Sequence, residues 1–68
     1  MPSTAIRAHA YDDRTRQLTI TFVSGRRYVY DEVPKAVYTA FTRADSLGGF
    51  FNSKIRDHYR YREIEADD

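Results

Sequence analysis

Leu18-Thr19-Ile20-Thr21-Phe22-Val23-Ser24-Gly25-Arg26-Arg27-Tyr28-Val29-Tyr30 is the stretch on which the fold turns. Leu18, Ile20 and Phe22 alternate with Thr19 and Thr21, the period-2 pattern of a strand with one buried face, and its β-branched residues suit a pleated backbone. Arg26 to Asp31 reads as the next strand, reached through a turn at Ser24-Gly25. That turn decides which face Tyr28 and Tyr30 occupy. A two-residue type I′ loop pairs Val23 with Arg26 and sets the tyrosines opposite Thr21 and Thr19, on the polar face near Arg7, His9 and Tyr11. A three-residue loop, Val23-Ser24-Gly25 with Gly25 left-handed, pairs Phe22 with Arg26 and sets Tyr28 opposite Ile20 and Tyr30 opposite Leu18, on the core side. One residue of slip exchanges the faces. Type I′ demands positive φ at Ser24 as well as Gly25, which serine tolerates poorly, so the bulged loop is favoured.

Upstream, Thr4 to Tyr11 alternates with Ile6, Ala8 and Ala10 on one parity and Arg7, His9 and Tyr11 on the other, a further strand by the same rule. Asp12 to Arg16 is the polar turn between them. Downstream, Pro34 is tolerated in a first helical turn, and Val33, Val37, Phe41 and Ala44 recur at near-helical spacing. Ser46 reads as the N-cap of a second helix with the stripe Leu47, Phe51, Ile55 and Tyr59, in which Gly48 and Gly49 mark a close backbone approach or a bent entry. The alternation Tyr59-Arg60-Tyr61-Arg62 fits either an extended segment or a frayed helix end. The expected architecture is α+β, a three-stranded antiparallel meander followed by two short helices packed on one face. Residues 1–68 form one domain, with residues 65–68 expected to be a disordered acidic tail.

Sixty-eight residues, 41% of them hydrophobic and 10 of them tyrosine or phenylalanine, leave room for one small core and none for a deep enclosed active site. There is no Cys, hence no disulfide and no thiolate metal site. No apolar run approaches the roughly 18 residues that span a bilayer, and the start Met1-Pro2-Ser3-Thr4 has no hydrophobic signal region. A soluble cytoplasmic protein is expected. The formal charge of +1 conceals an uneven distribution. Residues 1–30 carry five Arg against Asp12 and Asp13, and residues 46–62 carry Lys54, Arg56, Arg60 and Arg62 against Asp57, while Glu63, Glu65, Asp67 and Asp68 crowd the end.

Nothing in this arrangement reads as catalysis. His9 and His58 are the two candidate neutral-pH bases, and neither lies in a nucleophile elbow. His58 follows Asp57 directly, which on a helix turns the two side chains about 100° apart. His9 with Asp12 and Asp13 could suggest a metal site, but Asp is a usual turn residue because it hydrogen-bonds the local backbone. Gly48-Gly49 lacks the spacing of a phosphate loop. A non-enzymatic binding module with no cofactor, no metal and no catalytic residue is the expectation.

The binding candidates are basic and aromatic. Arg26 and Arg27 project from a hairpin end, and Lys54, Arg56, Arg60 and Arg62 follow downstream; together they can form a phosphate-binding stripe, or a merely solvated face. Tyr59 and Tyr61 are candidate stackers for bases, or else pack a C-terminal segment over the sheet. Asn52 and Arg56, four apart, can hydrogen-bond and clamp the helix to the hairpin. A different class of reading is docking of an unidentified protein through an edge strand or an apolar patch at Phe50 and Tyr38, or self-association through the sheet edge.

Taken in order, Ser3-x-x-Ile6, Tyr11-Asp12, Leu18-x-Ile20-x-Phe22, Gly25, Tyr28-x-Tyr30, Val33-Pro34, Ala44-x-Ser46, Phe51-Asn52, Ile55-Arg56 and Tyr59-x-Tyr61 resemble the KTSC domain. That module is found at the C-terminus of some lysyl-tRNA synthetases and as a stand-alone bacterial protein. The resemblance runs from about Ser3 to Ile64. It places the family's Tyr-x-Tyr signature on Tyr28 and Tyr30, with Phe51 and Asn52 as further signature positions of structural role. Attachment to a tRNA-charging enzyme implies RNA or tRNA as a partner, and the family offers no catalytic residues to carry over.

Overall fold

Leu18 pairs with Tyr30 and Ile20 with Tyr28, the register of the three-residue loop. Gly25 adopts φ +97°, its N–H donates to the Phe22 carbonyl at 2.8 Å, and Phe22 N–H donates to the Arg26 carbonyl at 2.9 Å. The left-handed position thus falls on the one residue of the turn without a Cβ. In this computed structural model, which describes residues 5–64, both tyrosines lie on the side of the helices. The acidic segment 65–68 lies outside the described residues.

The order of elements is β1 (Ile6–Asp12), β2 (Gln17–Phe22), β3 (Arg27–Tyr30), α1 (Lys35–Thr42), α2 (Leu47–Phe50), which continues into a π-helical turn (Phe51–Ile55), and β4 (Tyr61–Ile64). The strands form one antiparallel sheet in the order β1-β2-β3-β4. Three strands were expected and four are found, because Tyr61 to Ile64 returns to pair with β3, Tyr61 opposite Tyr30 and Glu63 opposite Tyr28. Without it the β3 edge would leave its backbone groups unpaired. The Asp31 N–H donates to the Arg60 carbonyl at 2.8 Å, and the Asp31 carboxylate accepts from Gln17 at 3.1 Å and lies 3.6 Å from Arg62. These contacts fix β4 in place.

The alternation of β1 also reads differently in three dimensions. A register shift between Ile6 and Ala8 inserts one extra residue, so Ile6 opposes Phe22 while His9 opposes Ile20 and Tyr11 opposes Leu18. A bulge reverses the parity of everything beyond it. His9 and Tyr11 therefore pack inward, and Ala8 and Ala10 are the exposed positions. Tyr11 stacks on Tyr38 with centroids 4.7 Å apart and donates its hydroxyl to the Val33 carbonyl at 2.6 Å. His9 sets its ring edge-on to Phe41 and its Nδ1 3.1 Å from the Tyr38 hydroxyl.

Both helices lie on this face. Val33 and Phe41 from around α1, Phe51 and Ile55 from the second helix, and Leu18, Ile20 and Tyr30 from the sheet form the core. Each such side chain contributes about 1.5–3 kcal/mol by leaving water. The Ser46 cap is present, its Oγ accepting from Gly49 N–H at 3.0 Å. A Cβ on Gly49 would stand 3.2 Å from that Oγ, a contact with the cap's own side chain and not the close backbone approach that the glycine pair suggested. The π turn widens the helix, with Arg56 N–H donating to the Phe51 carbonyl at 2.8 Å. No helix of the described residues is long and apolar enough to cross a membrane.

Candidate functional site

Between the β2–β3 turn, the π turn and β4 the surface opens into a cleft of about 370 Å³. Its lining comes from four parts of the chain: Phe22, Ser24 and Arg26 at the hairpin end, Tyr28 and Tyr30 on β3, Phe51, Arg56 and Asp57 on and just after the π turn, and Tyr61 on β4. Each is delivered by local structure already described. The bulged turn puts Tyr28 and Tyr30 on this face. Pairing of β4 brings Tyr61 beside them, and the extra residue in the π turn shifts Arg56 and Asp57 around the helix relative to an α-helical continuation.

The walls are aromatic. Phe51 forms the buried floor, edge-on to Phe22 at 5.4 Å and to Tyr30 at 5.4 Å. Tyr28 meets Phe22 at 5.6 Å, and Tyr61 leans over Tyr28 at 5.7 Å and Tyr30 at 5.5 Å. Edge-on packing of this kind fixes ring orientation as well as burying area. Tyr61 retains 54% of its surface, so it forms the rim and offers a face to a ligand.

The charges stand at the mouth. Arg26 is held above the ordinary arginine range by a side-chain hydrogen bond to Tyr28 and then by the Glu63 carboxylate, which lies 4.0 Å away. Arg56 donates to Asn52 Oδ1 at 3.4 Å, the hydrogen bond that their spacing suggested, made along the π turn itself. Burial raises the Tyr30 phenol to about 12, with Tyr28 and Tyr61 adding and Arg56 opposing. Tyr30 is therefore a neutral hydroxyl at any physiological pH. Two guanidiniums, phenol hydroxyls and the Asp57 carboxylate line an aromatic slot, with the Glu63 carboxylate beside Arg26, an arrangement suited to a planar ring that carries an anionic group.

The sequence-predicted basic residues do not all meet here. Arg26 and Arg56 do. Arg27 and Arg62 belong to strand positions of opposite parity, beside Val29, on the sheet face away from the helices, where Arg62 reaches Asp31. Lys54 is exposed on the π turn and Arg60 is exposed ahead of β4. Of the two stacking candidates, Tyr61 joins the cleft while Tyr59 packs against the core. Of the signature positions, Tyr30 and Phe51 are buried, Tyr28 is half-buried and Asn52 is exposed. Phe22, Ser24 and Asp57 complete the lining; the alternation had already turned Phe22 inward, but nothing in one sequence brings Asp57 to the hairpin end.

The discounted chemistry has structural occupations. Asp12 accepts from Arg14 N–H at 2.9 Å, Asp13 pairs with Lys35 at 3.5 Å, and His58 Nε2 lies 3.1 Å from the Ser53 carbonyl. Among the described residues no three His, Cys, Asp or Glu side chains are grouped to hold a metal ion.

Comparison with known proteins adds a family. The model of the KTSC domain matches residues 2–59. An uncharacterized protein of Stutzerimonas stutzeri is 39% identical over 66 residues, covering 96% of this chain and 93% of that protein. A lysine–tRNA ligase of a Nostoc species is 34% identical over 59 residues, which are 87% of this chain and 10% of that ligase. In three dimensions, a KTSC domain protein from Yersinia pestis solved by crystallography superposes with a TM-score of 0.84 at 34% identity, covering 94% of this chain and 90% of that one.

Proposed function

The chain belongs to the KTSC domain family, and on that premise we propose that it is a small non-enzymatic RNA-binding module whose cleft receives one unstacked nucleotide, with tRNA as the natural source. The observation that carries this reading is the meeting of Arg26 and Arg56 with the rings of Tyr28, Tyr30, Phe51 and Tyr61 in one cleft. Single-stranded RNA is recognised by splaying a base onto an aromatic side chain while cations take the phosphates. Tyr61 supplies the stacking face, worth about 1–3 kcal/mol per base. Arg26 supplies the cation for a phosphate, and Arg56 is a second guanidinium at the mouth. The occurrence of a related segment within proteins named lysine–tRNA ligase supports tRNA as the partner.

Docking of a protein on Phe50 and Tyr38 finds less support. Both rings are half-buried and already packed against the core, Tyr38 on Tyr11 and Phe50 near Phe41.

The test is a fluorescence-anisotropy titration with tRNA over a range of salt concentrations. If Arg26 neutralises one phosphate of a single strand, log K falls against log salt with a slope of about −0.7 from that contact. Arg26→Ala removes that share of the slope. No binding at about 10 μM protein in low salt, where even sequence-independent contacts register, refutes the reading.

A further inference from the structure

The cleft contains one group that phosphate binding does not explain. Asp57 stands beside Arg56 at its mouth, exposed to solvent, and its charge reaches the Tyr30 hydroxyl. Among the described residues no hydrogen bond or ion pair occupies its carboxylate. A carboxylate repels phosphate, so its place in a slot for a nucleotide is next to the base and not the backbone. An ionised carboxylate accepts and cannot donate. It therefore selects for a base edge that presents donors side by side.

Guanine is that base. Its N1–H and N2–H2 are adjacent donors that match two carboxylate oxygens, and its O6 and N7 accept from a guanidinium. The N3–H of uracil is flanked by two carbonyl oxygens, and adenine and cytosine each offer a single exocyclic amine beside an acceptor nitrogen. We propose that the cleft selects guanine, with Asp57 on the N1–H and N2–H2 donors, Arg56 on the O6 side, Tyr61 stacked on the ring and Arg26 on the adjoining phosphate. This rests on the RNA reading above. Neighbouring positions 56 and 57 at the end of the π turn supply the acceptor and the donor together, as the mixed edge of guanine requires.

The experiment measures anisotropy with labelled oligouridine carrying a single central guanosine, adenosine or cytidine, alongside all-uridine and tRNA. The guanosine oligomer binds about tenfold or more tightly than the others, as one good bidentate contact provides. Asp57→Asn, an exposed substitution that leaves the core untouched, abolishes that preference and shifts it toward adenosine, because an amide presents one donor and one acceptor. Equal affinity for all four oligomers, with tRNA still bound, overturns the guanine proposal and leaves the RNA reading standing. A guanosine preference that survives Asp57→Asn also overturns it. Absence of binding to every oligomer and to tRNA overturns both.

Discussion

Replacing Gly25 by alanine tests the turn that places the cleft. Gly25 has φ +97°, and an added Cβ would meet nothing within 4 Å. Steric collision is thereby removed from the ledger, and the whole penalty comes from the backbone dihedral. An L-residue in the left-handed region costs roughly 1–2 kcal/mol. The narrower unfolded ensemble of alanine offsets a fraction of this, leaving a net loss of about 1 kcal/mol. A domain of this length is held by only about 3–5 kcal/mol, so the loss is large in proportion and lowers Tm by about 4–8 °C. The chain has no Trp, so unfolding is followed by far-UV circular dichroism and tyrosine fluorescence in urea. D-alanine at the same position, accessible by chemical synthesis of so short a chain, favours positive φ and stabilises by about 0.4–1 kcal/mol through the unfolded state. Opposite signs for the two enantiomers are the signature of a conformational penalty. Equal effects of L- and D-alanine would refute the reasoning, and so would a loss above about 3 kcal/mol with an altered m-value, which would mean that the strand register itself had changed.

Two further perturbations follow from the same geometry. The Tyr30 phenol is raised by burial to about 12 against about 10 unfolded, so its contribution is fully present below pH 10 and is lost as pH rises from 10 through 12. After discounting for solvent in the open cleft the loss is on the order of 1–2 kcal/mol, and urea titrations of Tyr30→Phe, which cannot ionise there, show a correspondingly shallower decline across that window. Arg16 carries φ +62° without being glycine, so Arg16→Gly relieves strain and raises stability by about 0.5–1 kcal/mol, measurable by thermal denaturation.

Much of this was legible in the residues. The alternation of Leu18, Ile20 and Phe22 and the single glycine of the turn were enough to place Tyr28 and Tyr30 on the core side, because only one loop type spares Ser24 a positive φ. The helices were legible from their apolar spacing and from Ser46, except that the second ends in the π turn at Ile55 and leaves Tyr59 of the expected stripe beyond it. β4 was legible only in part, since the alternation Tyr59-Arg60-Tyr61-Arg62 left an extended segment open beside a frayed helix end; it is a strand because β3 has an open edge and Asp31 holds Arg62. The parity of β1 was hidden by the bulge before Ala8, which alternation alone does not register. The cleft was half visible. Arg26, Arg56 and Tyr61 were singled out by type, but that they converge while Arg27 and Arg62 turn to the other face follows from strand parity and from the pairing of β4.

The central claim is that this cleft is where RNA binds. Amide chemical-shift mapping during titration with tRNA at low salt tests it most directly. The account predicts that the largest shifts run from Phe22 to Tyr28 and from Arg56 to Tyr61, and that they disappear in the Arg26→Ala, Arg56→Ala double variant. Shifts centred instead on Thr19, Thr21 and Val29, the sheet face away from the helices, would contradict it.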